Sequence, residues 1–350
     1  MSSTASAPLP APGTAPAPSP RAGALARMGG SPMLRFVARR ILVAIPVLWG
    51  VTLLSFVVIS HLPGNAAQEI LGINATPQEV HQLAVKLGLD KPLLTRYGEW
   101  LHGLVTGSLG HSLASGQSVT SILASDLPVT FELIAFAFVI SLGFAVPIAL
   151  LAARRPAGIF DRASMLLSMA GLSIANYVLA LVLVYFFAVK LNWLPALGWV
   201  PPSRSLSQNL KYLIMPAVSI ALALLCFYAR LLRADLVEQL RDEDYVTTAR
   251  AKGVGPWRII LRHALRNSVF GLITVVALNL GTLLGATVII EQIFGLPGIG
   301  HELLSAINSR DVPVVEGTVL VFGVIVVLAN LIADLLYSAL DPRVKYGSAN

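Results

Sequence analysis

The chain has 350 residues, of which 55% are hydrophobic and only 12% charged, and its mean hydropathy is +0.75. Soluble domains carry about 25% charged residues, so this composition excludes a soluble protein and predicts an integral membrane protein. On a soluble protein the formal net charge of +7 would suggest a nucleic-acid partner. In a membrane protein it instead reports which side the loops face, and no nucleic acid is expected. The single cysteine, Cys226, excludes an intrachain disulfide.

The N-terminal region, residues 1–32, is rich in proline, alanine, serine and glycine. Such a composition cannot bury a core, so it predicts a disordered tail. No apolar stretch occurs before residue 41 and no convincing cleavage site follows it, which argues against a secretory signal. A translation start at Met28 or Met33 would remove most of the tail. Residues 33–60 then lead into and form the first membrane span.

Apolar stretches of membrane-spanning length recur along the rest of the chain. A spanning helix needs about 20 apolar residues, because each residue rises about 1.5 Å through about 30 Å of hydrocarbon. The sequence therefore predicts an all-α membrane protein with six spans. These are Ile41–Ser60, Pro128–Ala153, Ala163–Val189, Leu213–Ala229, Val269–Ile290 and Val314–Leu340.

The basic residues predict the orientation of these spans. An even number of spans puts both termini on one side. Of the 25 lysines and arginines, 18 lie on that side and 7 on the other. Cytoplasmic loops carry the excess of basic residues. Both termini, including the C-terminal segment 341–350, are therefore expected in the cytoplasm.

The segment between the first two spans, 61–127, is long enough to fold outside the membrane. Thr76, Pro77 and Glu79 form the pattern of a capped helix start, and Gly88 is placed to end that helix. An apolar stretch around Trp100 follows. The segment predicts either a small helical cap on the outer mouth or a docking surface for an external partner.

Ionisable residues near the middle of the spans would indicate coupling to an ion gradient, and we find none. Glu132 and Glu316 lie near predicted outer ends, and Asp334 lies toward the cytoplasmic end. Asn330, Asp334 and Tyr337 share one helix face by their spacing. That face predicts interhelical hydrogen bonds or, alternatively, a gate or substrate contact.

No pattern of catalytic residues occurs. The six histidines are scattered, and His301-Glu302 lacks the helical spacing of a zinc site. No Gly-x4-Gly-Lys-Ser/Thr phosphate loop is present, so the chain is not expected to be an ATPase or another enzyme. We expect no catalytic residue, no bound metal and no cofactor. A stand-alone carrier and an intramembrane enzyme are the alternatives, and both lack the residues they would need.

The cytoplasmic segment 242–268 carries the most specific pattern. Acidic residues precede a short helix, and Gly253 is a plausible left-handed stop after it. Gly255-Pro256 restarts a second helix. That helix carries an apolar stripe beside regularly spaced arginines, which is typical of a helix at a lipid surface. The stripe consists of Trp257, Ile260, Leu261, Ala264 and Leu265, and the arginines are Arg258, Arg262 and Arg266.

This segment resembles the EAA loop of ABC importer permeases. Thr247-Thr248-Ala249 takes the place of Glu-Ala-Ala, Gly253 that of the glycine, and 263–266 that of the final element. The variant is similar to the one in the dipeptide, oligopeptide and nickel branch. Further motifs of that branch occur in order across residues 33–347. They are Leu62-Pro63-Gly64-Asn65, 107–112, 127–133, 294–300, 310–313 and the closing run from Asn330 to Arg343.

The resemblance implies the six-span type I importer permease fold, with its conserved transmembrane domain over 120–340. It implies a second permease subunit, two ATPase subunits that bind ATP and Mg²⁺, and an external substrate-binding protein. The cargo would be di- or oligopeptides, with nickel as the alternative. The residues expected to contact the ATPase are Asp244, Tyr245, Thr248, Ala249, Arg250, Ala251 and Gly253. Pathway or packing candidates are Glu132, Asn330, Asp334 and Tyr337, and the extracytoplasmic motif supplies Pro297, Gly298, Gly300 and Asp311.

Overall fold

The computed structural model describes residues 32–61, 66–72 and 74–340. The predicted tail before residue 32, the motif at 62–65 and the C-terminal segment 341–350 lie outside the described residues. So do the side chains of Asp242 and Tyr337. Contacts group residues 44–344 into one unit, apart from residues 1–43 with 345–350. All packing reported below belongs to the unit 44–344.

The described residues form helices and no strand. The helices are α1 (Pro32–His61), α2 (Ala66–Leu71), α3 (Pro77–Lys86), α4 (Leu93–Val105), α5 (Val119–Arg154), α6 (Ile159–Ser173), α7 (Asn176–Leu183), α8 (Leu206–Asp242), α9 (Asp244–Ala251), α10 (Pro256–Ile259), α11 (Leu265–Phe294), α12 (Ile299–Asn308) and α13 (Val312–Leu340). Helices α7 and α10 continue as π-helical turns, Val184–Lys190 and Ile260–Ala264. The all-α prediction is confirmed for these residues.

Five helical segments in the described residues are long and apolar enough to cross a membrane. They lie in α1, α5, α8, the continuous run from α10 through α11, and α13. Helices α6 and α7 with its π-helical turn meet at an angle of 95° and make a sixth span only if this bent pair is counted as one. The predicted third span, Ala163–Val189, falls on this bent pair and stays a prediction. Ile174 and Ala175 have extended backbone, which interrupts the helix between Ser173 and Asn176.

Two helices are longer than their predicted spans. The predicted Leu213–Ala229 lies inside α8, which begins after the N-cap Ser205 and has 37 residues. The Ser205 hydroxyl accepts a hydrogen bond from the Gln208 amide and satisfies one free donor of the first turn. Helix α11 continues beyond the predicted end at Ile290, so Glu291 belongs to the helix.

The segment between the first two long helices is helical, as predicted. The Thr76 hydroxyl accepts from the Glu79 amide and the Glu79 carboxylate accepts from the Thr76 amide, which completes the capping box at the start of α3. These hydrogen bonds lower the pKa of Glu79 below its ordinary value. Helix α3 ends directly before Gly88, as predicted, and Gly88 has φ +69° in the left-handed region.

Helix α8 is the centre of the fold. It packs against α5, α6, α7 and α11. Apolar clusters around it occupy most of its length, from Leu213 and Ile220 to Leu232 and Leu236. The short helices lie at the two ends of the long ones: α2–α4 and α12 at one end, and α9 and α10 at the other. We call these the α4 end and the α9 end.

A buried ion pair ties α6 to α8 near the α9 end. Asp161, at the start of α6, is 2% exposed. Arg233 of α8 donates to it through Nε at 2.8 Å and Nη2 at 2.6 Å, and the Ala157 amide donates a third hydrogen bond at 2.8 Å. The carboxylate is therefore well satisfied, and it fixes the start of the broken helix pair against α8.

We expect Asp161→Ala to lower the free energy of unfolding by about 3 kcal/mol, since it leaves Arg233 without its partner inside the protein. The measurement is thermal unfolding of the purified chain in detergent, followed by circular dichroism. Glu99→Gln is the control, because it removes an ion pair with Lys91 that is half exposed. An exposed pair contributes less than about 1 kcal/mol. Equal effects of the two substitutions would contradict the assignment.

Candidate functional site

The predicted coupling segment folds as a short helix with a well-formed end. Helix α9 ends at Ala251, and Gly253, two residues later, has φ +75°. The Gly253 amide donates to the Arg250 carbonyl at 2.9 Å, and the Val254 amide donates to the Ala249 carbonyl at 3.1 Å. This hydrogen-bond pair is a Schellman cap, which requires a residue in the left-handed region. The predicted left-handed stop at Gly253 is confirmed.

Side chains of α9 bind the end of α8. The Arg250 guanidinium donates to the Leu240 carbonyl at 2.9 Å, in the last turn of α8. Carbonyl groups there have no partner inside the helix and form the negative end of its dipole, so a cation is favourable. The Tyr245 hydroxyl donates to Gln239 of α8 and accepts from Asn267 Nδ2 of α11 at 3.2 Å. Burial raises the pKa of Tyr245 above its ordinary value.

The two faces of α9 differ. Val246 and Ala249 are buried and pack with Ile259 of α10. Three of the predicted coupling residues, Asp244, Thr248 and Ala251, are exposed on the other side of the helix, whereas the exposed Arg250 binds α8. Helix α9 is thus held by its own chain on one face and presents a small, polar surface on the other. Ala249 belongs to the held face, and Tyr245 lies between the two.

The helix that follows α9 buries part of the predicted apolar stripe against the protein. Ile260 and Ala264 are buried, Trp257 and Leu261 are exposed, and Ile259 beside the stripe is buried as well. The π-helical turn Ile260–Ala264 changes the phase of the residues that follow it, from Leu265 onward.

A cleft of about 470 Å³ lies behind α9 and α10. Its walls combine apolar side chains with Arg241 and Arg250. Arg154, at the end of α5, also lines it, with its guanidinium 5.0 Å from the centre of the Trp257 ring. The cleft separates α9 from the end of α5, so α9 reaches the bundle chiefly through α8, α10 and α11.

At the α4 end, the predicted motif after α11 is built around Glu291. The side chain of Glu291 is fully buried, at 0% exposure. Its Oε2 accepts from the Gly300 amide at 2.8 Å and the His301 amide at 3.1 Å, in the first turn of α12. Its Oε1 accepts from the Thr130 hydroxyl of α5 at 2.7 Å. A carboxylate at a helix N-terminus satisfies free amides and complements the dipole.

Two predicted glycines allow this contact. A Cβ on Gly298 would lie 2.5 Å from the Glu291 carboxylate carbon, and a Cβ on Gly300 would lie 2.6 Å from Val288 Cα. Neither position has room for a side chain. Pro297 lies in the tight connection between α11 and α12, where the Gly298 amide donates to the Leu296 carbonyl at 2.8 Å.

Asp311 anchors a second loop at the same end. It is 2% exposed and lies between α12 and α13. Its carboxylate accepts from the Ser112 hydroxyl at 2.5 Å, the Leu113 amide at 3.1 Å and the Ala114 amide at 3.2 Å. The motif residues Gly298, Gly300 and Asp311 thus share one physical role, which is to fix connecting segments onto the long helices.

The pathway candidates lie on two helices, with Glu132 on α5 and Asn330 and Asp334 on α13. Glu132 is half-buried and accepts from Trp199 Nε1 at 3.2 Å. On α13, Asn330 is exposed and Asp334 half-buried. The role of these residues stays a prediction, as does that of Tyr337.

Sequence reasoning missed Glu291 and Asp161. Glu291 was overlooked because the fifth span was ended at Ile290, one residue too early. A lone carboxylate at the end of an apolar run, followed by Gly298-Ile299-Gly300, is the signal that could have identified it. Asp161 has no comparable signal, because its partner Arg233 is 72 residues away in the chain.

We expect Gly300→Ala to lower the unfolding temperature clearly, by the equivalent of about 1–3 kcal/mol, because the new methyl group would collide with the backbone at Val288. Gly285→Ala is the matched control, since it lies in α11 and a Cβ there meets no atom within 4 Å. That control should be neutral or slightly stabilising. Thermal unfolding in detergent measures both. Wild-type stability of the Gly300 variant would contradict the described packing of α12.

Comparisons with known proteins agree with this architecture. Residues 145–346 match the family model described as binding-protein-dependent transport system inner membrane component. Residues 33–134 match the model for the N-terminal part of the same kind of membrane component.

Named relatives span nearly the whole chain. A dipeptide transport system permease protein of Alkalihalophilus pseudofirmus is 37% identical over 334 residues, covering 90% of this chain and 100% of the relative. A di/tripeptide transport system permease protein of Pseudomonas aeruginosa is 36% identical over 335 residues, covering 90% of this chain and 99% of the relative. The chain belongs to the family of binding-protein-dependent transport system inner membrane components.

Proposed function

We propose that this chain is a membrane-spanning permease subunit of an ATP-driven ABC importer for di- and oligopeptides in the cytoplasmic membrane. Separate ATPase subunits would supply the energy through the segment 242–268. An external binding protein would deliver the cargo, and a second permease subunit would complete the path. The observation that carries the proposal is the construction of α9, in a chain whose family depends on a binding protein.

A helix that receives force from another protein needs an accessible face and a rigid attachment. The accessible face of α9 consists of the exposed residues Asp244, Thr248 and Ala251. The rigid attachment consists of hydrogen bonds. Arg250 and Tyr245 donate to α8, and Asn267 donates to Tyr245. Small side chains at 248 and 251 permit a partner's backbone to approach closely.

Displacement of α9 would pass directly into the long helices. Its anchors lie in the last turn of α8 and at the start of α11, and α8 contacts four other helices along its length. Because packed cores move as rigid elements and do not deform continuously, a shift of α9 would tilt these helices together. Alternating opening of a central path is the expected result.

The relatives' names favour peptide over nickel as the cargo, since those of Alkalihalophilus pseudofirmus and Pseudomonas aeruginosa are named for dipeptide and di/tripeptide transport. Nickel remains the alternative cargo. Uptake of a labelled dipeptide and of Ni²⁺ by the reconstituted assembly tells the two apart.

Gly253→Pro should uncouple ATP hydrolysis from uptake. Proline cannot adopt the φ of +75° found at Gly253 and cannot donate to the Arg250 carbonyl, so the end of α9 must rearrange. We expect dipeptide uptake per ATP hydrolysed to fall by about tenfold or more, within the range of coupling energies between sites. The measurement is uptake and phosphate release by the same proteoliposomes.

Gly107→Pro is the matched control for that experiment. Gly107 follows α4, has φ +88°, and donates to the Leu104 carbonyl in the same type of cap. It lies at the α4 end, so the ratio of uptake to hydrolysis should stay near the wild-type value. A wild-type ratio in the Gly253 variant, or an equal loss in both, would count against α9 as the coupling element.

The proposed topology has both termini and α9 in the cytoplasm, which rests on the distribution of the basic residues. It is testable with single cysteines in a Cys226→Ser background, since the chain has one cysteine. A membrane-impermeant maleimide should label Leu94→Cys in spheroplasts and Ala251→Cys only in inverted vesicles. Both positions are exposed in the structure. Labelling of the Ala251 variant in spheroplasts would reverse the orientation.

A further inference from the structure

A cavity of about 390 Å³ lies at the α4 end, between α4 and the start of α13. It is separate from the segment 242–268 and from the Glu291 contact. Phe56 of α1 and Trp100 of α4 form part of its wall, and Val312 and Pro313 line the opposite side. Aromatic and aliphatic walls with a few polar groups are typical of small-molecule sites.

A buried glutamate lines this cavity, and one of its carboxylate oxygens has no hydrogen-bond partner among the described residues. Glu316, in the second turn of α13, lines the cavity and is 1% exposed. Its Oε1 accepts no hydrogen bond from the described residues. The contrast with Glu291 and Asp311 is clear, because each of those buried carboxylates accepts three hydrogen bonds. A buried carboxylate oxygen without a donor is costly, so Glu316 calls for a donor from outside the chain.

Two donors face the same cavity. The Arg96 guanidinium lies over the Phe56 ring, 5.8 Å from its centre, and forms no ion pair with Glu316 in the described part of the chain. Burial lowers the pKa of Arg96, and the charge of Glu316 opposes that shift. Trp100 Nε1 is also buried, and it has no acceptor among the described residues.

Among the described residues, the other charged groups at the cavity do not form hydrogen bonds or ion pairs with Glu316, Arg96 or Trp100. Lys91 and Glu99 pair with each other at 2.6 Å on the exposed rim, and Lys86 is exposed to solvent. The cavity therefore has an acceptor on α13, at Glu316, and two donors on α4, at Arg96 and Trp100.

We propose that this cavity binds a small zwitterion, either a free α-amino acid or a dipeptide. The ligand's ammonium group would donate to Glu316, and its carboxylate would accept from Arg96 and Trp100. Opposite charges that share a cavity without contacting each other match a ligand carrying both charges. A simple anion would leave Glu316 without a donor, and a simple cation would leave Arg96 and Trp100 without an acceptor.

The ligand series uses the full-length chain in nanodiscs and isothermal titration calorimetry. The probes are alanine, Ala-Ala, N-acetyl-Ala-Ala and Ala-Ala-amide. Removing either terminal charge should weaken binding by at least about tenfold, which corresponds to one hydrogen bond to a charged group. Alanine and Ala-Ala identify which of the two zwitterions the cavity prefers.

Variants assign each charge to its residue. In the Glu316→Gln variant, acetylation of Ala-Ala should no longer weaken binding, while amidation still should. In the Arg96→Gln variant, amidation should no longer weaken binding, while acetylation still should. Glutamine is a conservative replacement at Glu316, since Oε1 makes no hydrogen bond to the protein. Glu99→Gln is the matched control on the rim and should leave both penalties unchanged.

The proposal is overturned if acetylation or amidation has no effect on binding to the wild-type chain, which would indicate a site for an anion or a cation alone. It is also overturned if neither alanine nor Ala-Ala binds, or if the Glu316 and Arg96 variants keep both penalties. The binding assay needs no ATP hydrolysis and no partner subunit. Failure of the proposed importer function and failure of this site are therefore distinguishable.

Discussion

The structure depends on the rule that a carboxylate buried among apolar helices must be matched by donors. Asp161, Glu291 and Asp311 are all nearly inaccessible to solvent, and each accepts hydrogen bonds from a different element of the fold. Each joins a connecting segment to a long helix: the start of α6 to α8, the start of α12 to α11, and the loop at 112–114 to the start of α13. Helices of low amphipathicity have few other ways to fix their connections, because lipid and protein are equally apolar.

The two ends of the bundle hold their connecting segments through different kinds of hydrogen-bonding groups. At the α4 end, Glu291 and Asp311 hold their partners through backbone amides, which have little freedom to move. At the α9 end, the attachment of α9 depends on side chains such as Arg250 and Tyr245 that bind the last turn of α8. Side-chain anchors permit small rotations while they preserve the connection. The α9 end is thus the better place to receive movement, and the α4 end the better place to hold a fixed structure.

Local patterns in the sequence predicted local structure well. The Thr76 capping box, the helix end at Gly88, the left-handed Gly253 and the restart at Pro256 each depend on neighbouring residues, so spacing alone identified them. The 95° break at Ile174 and Ala175 was missed because apolar composition does not reveal where backbone leaves the helix. Glu291, Arg96 and Asp161 matter through partners distant in the chain, and no local pattern reports such contacts.

The position of α8 connects these observations. It carries Gln239 and Leu240, which bind α9, and Arg233, which binds Asp161 at the start of α6. Helix α8 has 37 residues and packs against α5, α6, α7 and α11. If α9 is displaced as proposed, the Arg233–Asp161 ion pair would pass the movement of α8 to α6. Because α6 and α7 meet at a break without regular helix, they can change their mutual angle while α8 stays intact. That break is the element of this chain best suited to turn a displacement at α9 into an opening between helices.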